Sequence, residues 1–268
     1  MKKAILLTLL LTVMAAGIVL YWFVPLNSPP RPVQSYQLPQ SADDTLHVAF
    51  IGDSWAFEHK PDDRRLALML EEALQRPVGL YSYGICGHTS KDIYRALFIN
   101  KPLRQLLTTR SYQYCIVSAG INDTYRKMST GYYRQSMAGI IRFLLHNHVC
   151  PVVIEIPNYD VHRAYDIQAP SRKVLRQLSM LVNQTPFDCR QLFRDTFRQL
   201  VSERNWTDSL IIVSCQSWNA DFADGQERLY RHDGMHLNAA GRARLDSAIV
   251  RAVAIRHRQT LCLKTRGT

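Results

Sequence analysis

From residue 46 onward the apolar positions follow two rhythms in turn. Short runs rich in β-branched and aliphatic residues, at 46–51, 77–83, 112–118, 151–156 and 209–215, have the length and composition of buried strands. Between them, over 64–75, 89–98, 131–147, 171–183, 189–204 and 239–257, apolar residues recur every three or four positions, which is the spacing of one helix face. Strand and helix repeated in this way predict right-handed crossovers and a parallel sheet. The expected fold is therefore α/β, a three-layer sandwich of about five parallel strands with helices on both faces. Ligands of such a sheet bind beyond the carboxyl ends of its strands.

The first part of the chain has neither rhythm. Lys2-Lys3 is followed by 27 uncharged residues from Ala4 to Pro30, and Ala4–Leu26 is almost wholly apolar. About 20 such residues suffice for a helix to cross ~30 Å of hydrocarbon. Residues 1–26 are read as a transmembrane signal anchor, with the alternative of a secretion signal cleaved near Ala15-Ala16-Gly17. The apolar run continues through Ile18–Phe23, which a signal cleaved there would not need, and either reading exports the rest of the chain. Lys2-Lys3 then stay on the cytoplasmic side, although Arg31 dilutes the charge bias, and Tyr21 and Trp22 fit an aromatic belt at the outer interface. The organisation expected is anchor 1–26, an extended linker 27–45 holding four prolines, one domain 46–258, and a tail 259–268.

Charge narrows the picture less than its size promises. A formal charge of +11 would suit an anionic partner. Yet the basic residues are spread through helical stretches (Arg172-Lys173, Arg176, Arg190, Arg194, Arg198) with no aromatic-interleaved stripe. A solvated basic face is expected, and nucleic-acid binding is not. Of the six cysteines (86, 115, 150, 189, 215 and 262), Cys115 and Cys215 sit inside apolar runs as small buried hydrophobes. There is no C-x-x-C pair, so neither a redox motif nor a metal site is supported, and His146-x-His148 reads as a helix end.

Candidate chemistry lies in four strings: Gly-Asp-Ser at 52–54, Gly-His-Thr at 87–89, Gly-Ile-Asn-Asp at 120–123 and Asp-Gly-Met-His-Leu-Asn at 233–238. The first three follow predicted strands, at the edge where an α/β sheet places its chemistry. Ser54 at a strand-to-helix junction is a candidate nucleophile, its hydroxyl raised above the sheet, although Asp or Ser here is also what a helix N-cap requires. His236 can take the serine proton, and Asp233, three residues earlier, can accept the proton on the other ring nitrogen. The plainer alternative is a surface Asp and His before the last helix, with Asn238 as its N-cap. Oxyanion donors are expected from the backbone N–H of Ser54 and Gly87 and the side-chain amide of Asn122. Asp53 and Asp123 are expected to be structural acceptors that tie their loops down.

Over roughly residues 46–250 the chain resembles the SGNH hydrolases, or GDSL-type esterases and lipases, named for the Ser, Gly, Asn and His of four motif blocks. The resemblance puts the family's nucleophile on Ser54, its oxyanion glycine and asparagine on Gly87 and Asn122, and its Asp-x-x-His pair on Asp233 and His236. It implies a flavodoxin-like sheet and hydrolysis of an oxygen ester or thioester through an acyl-serine, without metal or cofactor. Three positions depart from the pattern. Trp55 replaces the usual Leu and is expected to reshape the pocket, Ser82 replaces an Asn and puts one supporting hydrogen bond in doubt, and Cys86 replaces a Ser.

The export signal favours an acylated glycan as the ester substrate, and so a membrane-anchored carbohydrate O-acetyl esterase or short-chain esterase. A lysophospholipase or other lipid esterase, an acyltransferase of the same fold, and a non-catalytic binding module are the alternatives. Pro157–Pro170, after the fourth strand, is expected to overhang the site as a substrate loop presenting Tyr159, His162, Arg163 and Tyr165.

Overall fold

The computed structural model describes residues 2–40, 44–59, 64–215 and 229–266, with side chains through 259. Five strands, β1 (Leu46–Gly52), β2 (Val78–Gly84), β3 (Tyr114–Ser118), β4 (Cys150–Ile154) and β5 (Ile211–Val213), form one parallel sheet in the order β2-β1-β3-β4-β5. That order is the flavodoxin-like doubly wound one, whose direction of winding reverses at the β1/β3 boundary. Each predicted strand forms; β1 and β2 run one residue further than expected, and β3, β4 and β5 are shorter because pairing stops.

Alternation along β1 explains the two cores. Ala49 and Ile51 point to the layer containing α4 (Ser90–Ile99), α5 (Lys101–Thr108), α7 (Thr130–His146) and α10 (Arg190–Glu203), where they join Ile93, Leu97, Val117, Ile141 and Phe193. Val48 and Phe50 point to the other layer, among Leu66 and Leu70 of α3 (Arg65–Leu74) and Ile249 and Val253 of the last helix, α11 (Ala239–Arg266). Every predicted helix is present. The spacing missed α5, where Pro102 and the preceding Asn100 cap start a new helix one residue after α4 ends; Asn100 Oδ1 accepts from Leu103 N at 2.9 Å. It also missed three short helices, α2 (Ser54–Glu58), α6 (Ile121–Tyr125) and α8 (Val161–Asp166), each too brief to show a period.

The N-terminal helix α1 (Lys2–Leu26) is long and apolar enough to cross a membrane, and none of its residues is buried by the rest of the chain. Residues 27–40 are not a free tether. Leu38 is buried, with its N–H on Asn147 Oδ1 at 2.6 Å, while Tyr36 packs on Phe98 and Phe143 and donates to Leu97 O at 2.8 Å. The prolines keep the segment extended, and two apolar side chains among them give it something to bury.

Two basic residues assigned to a solvated face are inside. Arg194 is 5% exposed and donates Nε to Ile156 O at 2.7 Å and another N–H to Asn158 Oδ1. Arg176, 4% exposed, lies over the Tyr125 ring at 4.0 Å. The helical rhythm places residues on a face, but it does not say whether a guanidinium finds carbonyls and rings there. Cys115 and Cys215 are fully buried, and burial pushes both thiols far above their usual range. All five cysteines with described side chains are free; Cys262 lies outside them. His146 closes α7, and His148 follows in the left-handed region at φ 57°.

Candidate active site

Ser54 opens α2 directly after β1, in a turn that only a particular backbone allows. Gly52 has φ +151°, and a Cβ there would lie 2.2 Å from Ser118 O on the neighbouring strand. Asp53 caps α2: its Oδ1 accepts from Trp55 N at 3.0 Å and from Ser118 Oγ at 2.8 Å, and its own N–H donates to Ser118 O at 3.2 Å. Burial pushes the Asp53 carboxyl up to about 6, against the Ser118 and Trp55 hydrogen bonds and the nearby His236, which all favour its charge. The first N–H groups of a helix have no acceptor within it, so that of Ser54 is available to a ligand.

The two candidate donor loops are latched to each other. Ile85–His88 forms a turn closed by His88 N on Ile85 O at 3.2 Å, and Gly87 takes φ +76° at its third position, as a type II turn requires. Asn122, near the start of α6, gives Nδ2 to His88 O at 3.0 Å, which leaves its second amide N–H. Asp123 holds the start of α4, accepting Ser90 N at 2.7 Å and Ser90 Oγ at 2.5 Å. Its carboxyl is fully buried and thereby pushed up to about 6.

Asp233 and His236 sit in a small hairpin rather than a loose loop. Tyr230 and Leu237 make an antiparallel bridge, and Arg231 N donates to His236 O at 2.7 Å. Within the hairpin Asp233 Oδ2 meets His236 Nδ1 at 2.5 Å, while Oδ1 accepts the backbone N–H of Met235 and of His236 at 2.9 Å each. Burial raises the Asp233 carboxyl, but those amides and the imidazole outweigh it and hold the group below its ordinary value. An ionised carboxylate can only accept, so Nδ1 carries the proton and Nε2 is left as an acceptor. Asn238 caps α11, receiving Gly241 N at 2.9 Å.

Trp55 joins the two halves. Its ring is buried, and Nε1 donates to Met235 O at 3.3 Å, so the residue after Ser54 is bonded to the residue before His236. Trp55 is thus a clamp between the two loops. Ser82 makes a link of its own: Oγ donates to Ala56 O at 2.6 Å, fastening β2 to α2. Cys86 is exposed.

The segment after β4 divides. Tyr159 is 1% exposed, in the apolar core with its hydroxyl 3.1 Å from Thr124 Oγ1, so no substrate reaches it; this expectation is corrected. Its large ring joins the apolar core that holds Ile121, Val161 and Ala164 instead. His162 and Tyr165 pack on the Phe187 ring at 4.9 and 5.3 Å. Arg163 adjoins the Asp233–His236 hairpin: a Cβ at Gly234 would lie 3.4 Å from Arg163 Cβ, and Asp160 N donates to Gly234 O at 2.9 Å. Sequence reading missed Arg126, whose guanidinium donates to Gly87 O at 2.8 Å. Its separation of 39 residues from Gly87 leaves no sequence signal.

Comparison with known proteins agrees with this architecture. The GDSL-like Lipase/Acylhydrolase family matches residues 50–244. Among solved structures, the acetylxylan esterase Axe2 of Geobacillus stearothermophilus superposes with TM-score 0.53 at 16% identity, covering 78% of this chain and 94% of its own. The lipase/acylhydrolase of Enterococcus faecalis does so with TM-score 0.52 at 15% identity, covering 79% and 96%. At such identities these two likenesses speak for the fold alone. No curated protein matches the sequence significantly. The family match spans the end of β1, all four strings and the start of α11, and the chain belongs to the GDSL-like lipase/acylhydrolase family of serine ester hydrolases.

Proposed function

We propose that Ser54 is the nucleophile, His236 its general base and Asp233 the group that orients the imidazole, in a membrane-anchored esterase that removes short acyl groups from glycans. The observation that carries the catalytic assignment is the Asp233–His236 pair, pinned by two backbone amides and clamped to the Ser54 turn through Trp55. Ser54 Oγ attacks the ester carbonyl as Nε2 of His236 takes its proton, and the oxyanion faces the N–H groups of Ser54 and Gly87 and the free amide hydrogen of Asn122. Collapse expels the alcohol, which takes the proton from Nε2. Water, deprotonated by the same nitrogen, then attacks the acyl-serine, and Ser54 recovers its proton as the carboxylic acid leaves.

Support for a polar substrate comes from the rim. Arg126 at the Gly87 turn and Arg163 beside the hairpin put cations next to the site, as an anionic or hydroxyl-rich glycan would need. Acetylxylan esterases and lipases share this fold, so the fold does not make that choice. Support for the anchor is the uncovered apolar α1, with Tyr21 and Trp22 forming an edge-on pair 5.6 Å apart in its last two turns. The test is the full chain in detergent, assayed on acetyl, butyryl and long-chain esters and on O-acetylated glycan, beside Ser54→Ala. Turnover and fluorophosphonate labelling should both vanish in the variant, and acetyl esters should be preferred. Unchanged turnover in Ser54→Ala would sink the mechanism, and a long-chain preference the glycan assignment.

A further inference from the structure

Helix α9 (Pro170–Asn183) is amphipathic the wrong way round for a water-facing helix. Its polar residues Arg176 and Ser179 are buried against the domain, whereas Val174, Leu178, Leu181 and Val182 are exposed, Leu181 by 76%. These four fall at spacings of four, three and one, which puts them on a single stripe. A contiguous apolar stripe left in water is costly and marks a surface that something covers.

What covers it is indicated by where α1 ends. The residue that follows α1 reaches α9: Asn27 Nδ2 donates to Ser179 Oγ at 3.4 Å, and Asn183 Nδ2 donates to Asn27 Oδ1 at 2.5 Å. Lys91 fixes that end by donating Nζ to the carbonyls of Pro25, of Leu26 at 3.2 Å and of Ser28 at 2.8 Å, placing a cation on the C-terminus of the helix. A cleft of about 190 Å³ between α1 and α9 is lined by Trp22, Leu26, Tyr125, Arg126, Arg172 and Leu175. The apolar span thus ends against the polar flank of the helix whose other flank carries the stripe, and Arg172 and Lys173 sit in the first turn of the same helix.

We propose that α9 is a membrane-surface helix, whose Val174, Leu178, Leu181 and Val182 sink into the headgroup and upper acyl region of the same bilayer that α1 crosses. Basic residues beside an apolar stripe are what an interfacial helix presents to anionic headgroups. The docking rests on the reading of α1 as a membrane anchor. Its consequence for the site is positional: Arg126, which lines the cleft and holds the Gly87 turn, comes to headgroup level, so esters are taken from chains lying at the membrane surface.

The experiment is Leu181→Trp in the full chain, reconstituted in nanodiscs of mixed phosphatidylcholine and phosphatidylglycerol with bromine on the upper acyl chain. Leu181 is exposed, so the replacement disturbs no packing. The emission added by the variant over the natural chain should be quenched roughly twofold or more by the brominated lipid and be insensitive to aqueous acrylamide. Added emission that ignores the bromines and is quenched by acrylamide would overturn the docking. Trp22 of the natural chain separates the two readings. If its quenching by the same lipid is also absent, the anchor has failed; if it is present while that of residue 181 is not, the docking alone has.

Discussion

Replacing Asp233 by Asn should harm this site more than its shape suggests, because the backbone dictates which way the new amide faces. In the natural chain Oδ1 accepts the N–H groups of Met235 and His236 at 2.9 Å each, and Oδ2 accepts His236 Nδ1–H at 2.5 Å. An Asn keeps its single oxygen on the two amides, which turns its NH2 toward Nδ1. Nδ1 must then accept, the proton moves to Nε2, and the imidazole becomes the tautomer that cannot take a proton from Ser54. Restoring the working tautomer by flipping the amide forfeits two backbone hydrogen bonds, about 2 kcal/mol. The lost charge-assisted bond to the imidazolium adds about 2–3 kcal/mol. Together these give about 4–5 kcal/mol, a fall in kcat of roughly 10³ to 10⁴. Asp233→Ala admits water, leaves the tautomer free, and should be no slower than Asp233→Asn. The assay is p-nitrophenyl acetate hydrolysis by both variants, with circular dichroism to show that each is folded. An Asn variant within tenfold of the natural chain, or an Ala variant far slower than the Asn variant, would refute the reasoning.

Asn122→Ala removes one oxyanion donor and should lower kcat on acetyl esters about 10²- to 10³-fold while KM changes little; equal kcat would remove Asn122 from the site. Asp123 is raised from 3.8 to about 6 by burial, so the folded state holds its proton where the unfolded chain has lost it. Stability therefore falls as pH rises from about 4 to about 6, by about 3 kcal/mol from this group when complete, and thermal unfolding of Asp123→Asn should show a correspondingly flatter dependence. Asp53, also raised to about 6, adds the same sign, while Asp233, held below its usual value, contributes stability that is lost at lower pH. Ser82→Ala deletes the 2.6 Å bond to Ala56 O and should cost about 1 kcal/mol, read as a Tm lower by roughly 2–4 °C with kcat intact.

The sequence by itself determined the strand and helix order, because strands buried on both faces leave short β-rich apolar runs and one-sided helices leave a period of 3.6 residues, and neither needs a partner to be seen. It also determined the three strings at the strand ends, the fourth before the last helix, and the long apolar start, since all are local. The tertiary structure decided what depends on residues far apart in the chain. Trp55 became a clamp on Met235 O, Arg126 reached Gly87 across 39 residues, Tyr159 turned into the core, and Arg176 and Arg194 found buried partners. In α9 both sources were necessary. The sequence displayed an amphipathic helix, but only packing showed that the polar side faces inward, against the end of α1, and the apolar side faces out, because periodicity fixes which residues share a face and not what that face meets.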